Sequence, residues 1–353
     1  MRIKKLQEIM KKKKIDLCLF FSLNSPNTNI VYFSSYIGKG IFVITKSNNF
    51  LIVPEYEKEK TKNLDTKIHY VEKTKFLLKE LSNQIKNIKK TGIEDDKLNL
   101  KLFKKIKNKI KGRYCDISII CREIRSKKEK KELNYIKKAC NVTDSIFQKI
   151  CNNFIFKTED EIREFIIKEC KKYNCDLAFP PIAASGIGTS EVHYEGSKKL
   201  TKGFLMLDFG ARYNGYCSDM TRMLYLGQPS KKELEKFNLV LNTLNICESK
   251  SKKIKKFSTL YSLAIKLLKE DSIYFTHKLG HGIGLDIHEL PNLYFDSNQK
   301  IEENIPFTIE PGIYFENNFG IRIEDTVVIE NGKLKILTKS KKKLVILNEK
   351  TKL

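Results

Sequence analysis

The sequence predicts a two-domain protein of mixed helix and strand, with an α/β domain over residues 1–122 and a larger α+β domain over residues 123–353. Its length of 353 residues suits two domains, since a compact domain usually has about 100 to 200 residues. In the first part, short apolar runs alternate with helical patterns, which is typical of an α/β layer. A run of nearly continuous charge at 122–131 separates this part from a long amphipathic helix.

The N-terminal part begins with a helical pattern in which Ile3, Leu6, Ile9 and Met10 recur on one face. Apolar runs predict buried strands at 17–21, 40–45 and 50–53. Helical patterns follow at 75–88 and 100–110. Together these elements predict a sheet with helices packed against it.

The C-terminal part repeats one order of elements. Two helices at about 126–152 and 158–173 precede a strand region with a hairpin at 203–227. Two more helices at about 230–251 and 258–270 precede a strand-rich stretch at 277–347. This recurrence predicts an internal duplication, with a site between the halves.

The chain is strongly basic, with 67 Lys and Arg against 42 Asp and Glu and a net charge of +25. Such an excess could favour nucleic acid or an anionic membrane. The lysines are scattered through every segment, however, so we expect solvated surfaces and no dedicated nucleic-acid role. No apolar run reaches the ~18 residues that cross a membrane. The nine cysteines are odd in number and lack C-x-x-C spacing, so we expect a soluble protein of the reducing cytoplasm.

Two carboxylates flank a predicted hairpin. Asn214-Gly215 is a strong signal for a two-residue turn between apolar-rich strands. Such a turn places Asp208 opposite Thr221 and puts Asp219 on the same face as Asp208. Asp208 follows an apolar run and should be buried, where a carboxylate requires donors or a cation.

Three of the five histidines lie within twelve positions, at His277, His281 and His288. One such histidine alone is as often structural as functional. The three together, interleaved with glycines that permit close approach of a ligand, favour a site.

Two further acids end or interrupt apolar strands. Glu310 follows an apolar run and precedes Pro311-Gly312, and Arg322 and Glu324 alternate with Ile321 and Ile323 in an expected central strand. Polar residues in such positions are expected at functional sites. Four converging carboxylates would repel one another unless about two divalent cations lay among them. Oxygen ligands with one imidazole suit Mn²⁺, Co²⁺, Fe²⁺ or Zn²⁺.

These residues, in this order, resemble the pita-bread metallopeptidases, which include methionine aminopeptidase, aminopeptidase P and prolidase. The resemblance rests on Asp208, an Asp eleven residues later, H-G-x-G at His281, E-P-G at Glu310 and R-x-E-D at Glu324. It covers nearly the whole chain. It implies a creatinase-like α/β N-terminal domain followed by a pita-bread catalytic domain. The implied metal ligands are Asp208, Asp219, His281, Glu310 and Glu324.

Within that family, the sequence is similar to the proline-directed branch. The segment FPPIAASG from Phe179, the position of His193 after it, His277 and the extra N-terminal domain all match that branch. Ile187 and Val192 depart from it, because prolines are frequent at these positions. The departures concern the loop that carries His193 and leave that histidine in register.

The resemblance implies cleavage of an N-terminal Xaa-Pro bond by a hydroxide that bridges two metal ions, with Mn²⁺ expected first. Glu310, His193 and His288 are the implied catalytic residues, and Glu310 would move the proton of the attacking water. Substrate contacts are implied for Phe179, His193, His277, His288 and Arg322. Substrates would carry proline at the second position, and a homodimer is expected. Aminopeptidase P is favoured narrowly over Xaa-Pro dipeptidase.

Two alternatives from other classes stay open at this point. One is a non-catalytic pita-bread protein that binds nucleic acid or protein through its basic surface. The other is a metal-free hydrolase similar to creatinase. Metal analysis and the effect of chelation on activity distinguish both from a metallopeptidase.

Overall fold

The computed structural model of the protein describes residues 2–347. The chain forms two compact units, Met1–Arg125 and Ser126–Leu353. The division predicted after residue 122 stays a prediction, which limited proteolysis would test.

The N-terminal unit contains a six-stranded mixed sheet with the strand order β4-β3-β2-β1-β5-β6. Its strands are β1 Leu17–Ser22, β2 Gly40–Thr45, β3 Asn49–Pro54, β4 Lys67–Val71, β5 Lys90–Ile93 and β6 Arg113–Asp116. Its helices are α1 Arg2–Lys12, α2 Thr28–Ser34, α3 Leu77–Gln84, α4 Leu100–Lys109 and α5 Ser118–Ser126, whose last residue opens the next unit. The three predicted strands and the amphipathic first helix are confirmed, and Leu6 and Met10 of that helix are buried.

Two N-terminal predictions differ from the structure. The helix predicted at 75–88 ends at Gln84, and helix α5 was not predicted because its charged residues resemble a linker. Cys121, Ile124 and Arg125 are nevertheless buried. The stability of such a short helix comes mainly from tertiary packing of its apolar face, which the composition alone does not show.

The C-terminal unit begins with helices α6 Lys130–Asn152 and α7 Glu159–Lys172. Helix α6 was expected from about residue 126 but begins later, because the Glu132 carboxylate accepts a hydrogen bond from the Glu129 N–H at 2.8 Å and caps its first turn. The strands that follow are β7 Asp176–Leu177, β8 Ile182–Ser185, β9 Gly203–Asp208, β10 Ala211–Tyr213, β11 Tyr216–Cys217 and β12 Thr221–Leu226.

A second helix pair, α8 Lys231–Ser251 and α9 Phe257–Leu268, precedes the remaining strands. These are β13 Gly280–Gly282, β14 Glu289–Leu293, β15 Phe307–Ile309, β16 Gly312–Phe315, β17 Phe319–Arg322, β18 Asp325–Glu330, β19 Lys333–Ile336 and β20 Val345–Leu347. They complete a four-stranded sheet, β20-β12-β9-β8, and form a five-stranded sheet, β14-β13-β15-β18-β19. The predicted order, a helix pair followed by strands, therefore occurs twice.

Strand β9 shows why this part of the sequence is so apolar. Phe204 and Met206 pack against the core that contains α8 and α9, whereas Leu205 and Leu207 pack against the core that contains α6 and α7. Both faces of the strand are buried, so its side chains do not alternate between apolar and polar. A carboxylate at the end of such a strand is drawn into the interior with it.

Within residues 2–347, no helix combines the length and the hydropathy that crossing a bilayer requires.

Candidate metal centre

The predicted hairpin has the predicted register. Asn214 and Gly215 have φ values of 48° and 84°, which suit a two-residue turn of the type favoured by Asn-Gly, and Asp208 pairs with Thr221. The ladder is interrupted at 218–220, between β11 and β12, and Asp219 lies in this interruption. Asp208 and Asp219 are 8% and 5% exposed. The hairpin therefore delivers two buried carboxylates from adjacent strand ends.

His281 comes from the five-stranded sheet and faces these acids. Its Nδ1 lies 3.0 Å from the Gly282 carbonyl, which can only accept, so Nδ1 carries a proton. Its Nε2 lies 3.4 Å from Asp219 Oδ2 and 3.5 Å from Glu310 Oε1. The Nε2 lone pair therefore faces two carboxylates, an arrangement that suits a metal ion between them.

Glu310 and Glu324 both lie just outside strand ends. Glu310 follows β15, and Thr308 Oγ1 donates to its Oε1 at 3.1 Å. Glu324 lies between β17 and β18, is 2% exposed, and accepts a hydrogen bond from Thr221 Oγ1 at 2.7 Å. The expectation of one central strand through Arg322 and Glu324 is wrong, because the chain passes from the β16–β17 hairpin into the five-stranded sheet at this point. Both side chains nevertheless face the same cavity.

The acids are held in an environment that disfavours their charge. Burial, followed by the charges of Asp208 and Glu310, raises the pKa of Asp219 well above its usual range. Burial, followed by the charge of Asp219, does the same to the pKa of Glu324. Asp208 Oδ1 and Glu324 Oε1 are buried and have no hydrogen-bond partner among the described residues.

The geometry of these groups fits divalent ions. Candidate ligand atoms of Asp219, His281 and Glu324 lie within 4.8 Å of one another. Glu310 lies next to this group, since its Oε1 is 3.5 Å from His281 Nε2. Asp208 is also near, since burial and next the charge of Asp208 raise the pKa of Asp219. Cations would satisfy the unpartnered oxygens and offset the repulsion between the carboxylates. The five residues predicted as ligands therefore line one cavity, and their role as ligands stays a prediction.

Arg322 connects this centre to a tyrosine that the sequence did not single out. Its guanidinium donates to Asp208 Oδ2 and to Tyr314 OH, each at 2.6 Å, and is 3% exposed. The Tyr314 hydroxyl also lies 2.9 Å from His277 Nε2. Burial raises the pKa of Tyr314 to about 12, so the hydroxyl keeps its proton. Tyr314 could have been predicted from its position, because it lies two residues after Gly312 and shares a face of β16 with that residue.

The predicted residues all line one cavity of about 1000 Å³. They are Phe179, His193, Asp208, Asp219, His277, His281, His288, Glu310, Arg322 and Glu324. The ring of His288 lies edge-on to that of His281, with centroids 4.3 Å apart. Burial, followed by the charge of His281, lowers the pKa of His288 to about 4, which keeps this imidazole neutral. The cavity is thus lined by both carboxylates and imidazoles.

The cavity also contains residues that the sequence did not indicate. Lys278 follows His277, lines the cavity, and donates from Nζ to Asn292 Oδ1 at 2.9 Å. Pro180, Pro181 and Tyr294 add apolar surface. A lysine in a chain with so many lysines carries no signal by itself.

Comparison with known proteins identifies relatives along the whole chain. Residues 2–127 match the creatinase/prolidase N-terminal domain, and residues 134–331 match metallopeptidase family M24. A Xaa-Pro dipeptidase from Pyrococcus furiosus is 33% identical over 363 aligned residues, which cover 98% of this chain and 99% of the relative.

Solved structures are also similar to this chain over nearly its whole length. A Xaa-Pro dipeptidase from Bacillus anthracis is 30% identical with a TM-score of 0.90, covering 98% of this chain and 99% of that one. An X-Pro aminopeptidase from Thermotoga maritima MSB8 is also 30% identical, with a TM-score of 0.84, covering 95% of this chain and 98% of that one.

Proposed function

On the premise that this chain belongs to metallopeptidase family M24 and is a hydrolase, we propose that it cleaves the peptide bond between an N-terminal residue and a following proline. The fold class is as predicted, a creatinase-like N-terminal domain followed by a pita-bread domain. One observation carries the proposal. The four carboxylates and His281 line the same cavity as Phe179, His193 and His277, so the metal ligands and the apolar and imidazole surface for a proline ring share one space.

Membership of the family implies a divalent-metal centre. We propose two ions per chain, with Mn²⁺ preferred, held by Asp208, Asp219, His281, Glu310 and Glu324. When bound, such ions supply Lewis acidity for the scissile carbonyl and lower the pKa of water. The unpartnered buried oxygens of Asp208 and Glu324 support this assignment.

The protein's own residues then have distinct roles. Glu310 lies at the edge of the ligand set, where its carboxylate can take the proton of the attacking water and pass it to the leaving nitrogen. His288, neutral because of its low pKa, can donate a hydrogen bond to the oxyanion without placing a further positive charge beside His281. His193 would orient the leaving imide. Arg322 holds Asp208 in place by a buried charge-assisted hydrogen bond.

Selectivity for proline follows from the nature of the bond. The nitrogen of an Xaa-Pro bond carries no hydrogen, so recognition depends on contact with the ring. Phe179, Pro180 and Pro181 on one side and His277 on the other provide such a surface. The hydrogen bond between the Tyr314 hydroxyl and His277 Nε2 fixes the orientation of the imidazole ring.

For chain length, we propose that the substrate is the dipeptide. The sequence alone favoured aminopeptidase P narrowly, but the Pyrococcus furiosus relative that aligns over the whole chain carries the name Xaa-Pro dipeptidase. Lys278 supports this assignment, because an ammonium beside His277 can pair with the free carboxylate of a bound Xaa-Pro. A longer peptide has no carboxylate at that position.

The test compares four substrates at equal metal saturation: Ala-Pro, Ala-Pro amide, Ala-Pro-Ala and Ala-Ala. We expect Ala-Pro to exceed Ala-Ala in kcat/KM by about ten to two hundred fold, the range of one apolar pocket. Substitution Lys278→Met should raise the KM for Ala-Pro roughly tenfold and leave the amide unchanged, because only the carboxylate bond is lost. Lys266→Met, on the exposed side of α9, is the matched control for charge.

Three results would contradict this proposed function. Faster cleavage of Ala-Pro-Ala than of Ala-Pro, with the same effect of Lys278→Met on both, would assign the protein as an aminopeptidase P. Faster cleavage of Ala-Ala than of Ala-Pro would contradict proline selectivity. Full activity after chelation would favour a metal-free hydrolase.

We also propose a homodimer in the cytoplasm. The nine cysteines are free thiols, and most are buried, which suits a reducing compartment. Light scattering on the purified protein and cell fractionation test these two assignments.

A further inference from the structure

We propose that Glu159, a fully buried carboxylate in the first turn of α7, is a positioning residue that holds the loop of His193 in its working conformation. This inference rests on the proposed function, in which His193 contacts the substrate. His193 itself is exposed on a loop, whereas the next residue, Tyr194, is 4% exposed. The position of the histidine therefore depends on how its neighbours are held.

The contacts of Glu159 span the whole loop. Its Oε1 accepts hydrogen bonds from Ser185 N at 2.8 Å and Ser185 Oγ at 2.9 Å. Its Oε2 accepts from Tyr194 OH and from Lys198 N, each at 3.0 Å. Ser185 precedes the segment 186–197 and Lys198 follows it. One carboxylate thus joins both ends of the segment and the residue beside His193.

Tyr194 is fitted closely into this arrangement. A Cβ atom at Gly188 would lie 2.9 Å from Tyr194 Cε2, and one at Gly196 would overlap the phenol ring. The two glycines therefore allow the ring to lie between the two arms of the loop. Burial, followed by the hydrogen bond to Glu159, raises the pKa of Tyr194 to about 12, so its hydroxyl stays a donor.

The next turn of α7 adds contacts with this loop and with strand β8, which precedes it. Arg163 donates from Nη2 to the Gly196 carbonyl at 2.6 Å and from Nη1 to the Ala183 carbonyl at 3.3 Å. No proline lies within 186–197, so the backbone of this loop has few local restraints of its own. Hydrogen bonds with α7 supply that restraint.

The test is a double-mutant cycle between Tyr194→Phe and His193→Ala, measured on the metal-loaded protein with Ala-Pro. Tyr194→Phe keeps the ring and removes only the hydrogen bond to Glu159. We expect it to lower kcat/KM by about ten to a hundred fold, the effect of a misplaced group. In the His193→Ala background we expect the same change to have little further effect, because the group that it positions is gone.

Two further variants separate positioning from general stability. Glu159→Gln should reproduce the kinetic loss. Glu169→Gln, which changes a 3%-exposed carboxylate on the same helix that pairs with Lys149 and Lys172, should leave kcat/KM near wild type. If Glu159→Gln does not fold, the Tyr194→Phe cycle still decides the question.

A spectroscopic measurement gives a readout independent of turnover. With only five histidines in the chain, the ring signals of histidine-labelled protein can be assigned by substitution. We expect Tyr194→Phe to shift or broaden the His193 signal and leave those of His69 and His277 unchanged.

Equal losses from Tyr194→Phe with and without His193, or an equal loss in Glu169→Gln, would overturn the positioning role while leaving the proposed function intact. Wild-type turnover in His193→Ala would instead remove His193 from the proposed function, and the positioning role would be overturned with it.

Discussion

The substitution Asp219→Asn should have opposite effects on the metal-free and the metal-loaded protein. Candidate ligand atoms of Asp219 and Glu324 lie within 4.8 Å of each other. At an effective dielectric constant of about 20, two negative charges at that distance repel by about 3.5 kcal/mol. Protonation already relieves part of this in the wild type. We therefore expect the metal-free variant to be more stable than the wild type by about 2 kcal/mol at pH 8, or about 4 to 8 °C in Tm.

The sign of the pH dependence follows from the raised pKa of Asp219. Between the ordinary pKa of about 4 and the raised one, the folded metal-free protein holds a proton that the unfolded chain has released. Stability without metal should therefore fall as the pH rises through this window. Asp219→Asn should flatten that fall.

With metal present, the same substitution should do the reverse. Loss of a ligand should lower the bound metal from about two ions per chain by at least one, and it should reduce the rise in Tm that Mn²⁺ produces in the wild type. The assay is thermal unfolding with and without chelator, together with elemental analysis. Asp325→Asn is the control, because Asp325 is fully buried but pairs with Arg222, and its loss should destabilise both forms. An unchanged metal count in Asp219→Asn, or a loss of stability without metal, would refute the reasoning.

Three further predictions concern single sites. His288→Ala should keep its metal content and lower kcat by about a hundred fold or more, measured with Ala-Pro, as expected for loss of an oxyanion donor; weakened binding with normal kcat would assign it to recognition. Because the pKa of His288 is lowered to about 4, its contribution to stability is complete above the unfolded pKa of about 6.5 and is lost as the pH falls towards 4, so His288→Ala should reduce acid sensitivity in chemical denaturation. Gly210→Ala should destabilise the protein by about 2 kcal/mol or more, because its Cβ would overlap the Ser218 carbonyl; a wild-type Tm would show that the hairpin can shift.

The hairpin shows how much of the site local sequence determines. Asn214-Gly215 specifies a two-residue turn, and the two-residue period of strands then pairs Asp208 with Thr221 without any knowledge of the rest of the fold. The burial of Asp208 also follows locally, since it ends an apolar run. The other candidate ligands, His281, Glu310 and Glu324, were predicted from motifs that resemble those of a known family.

Other features depend on contacts between segments that are distant in sequence. The break after Arg322, where the chain changes from the β16–β17 hairpin to the five-stranded sheet, has no local signal in a run of alternating isoleucines. Tyr314 shares hydrogen bonds with Arg322 and His277, and Tyr194 donates one to Glu159. All of these residue types are common in any protein. Turn type and strand parity are set by neighbouring residues, so the sequence by itself determined them. Which polar groups meet in the interior is set by the packing of whole elements, so only the tertiary structure decided it.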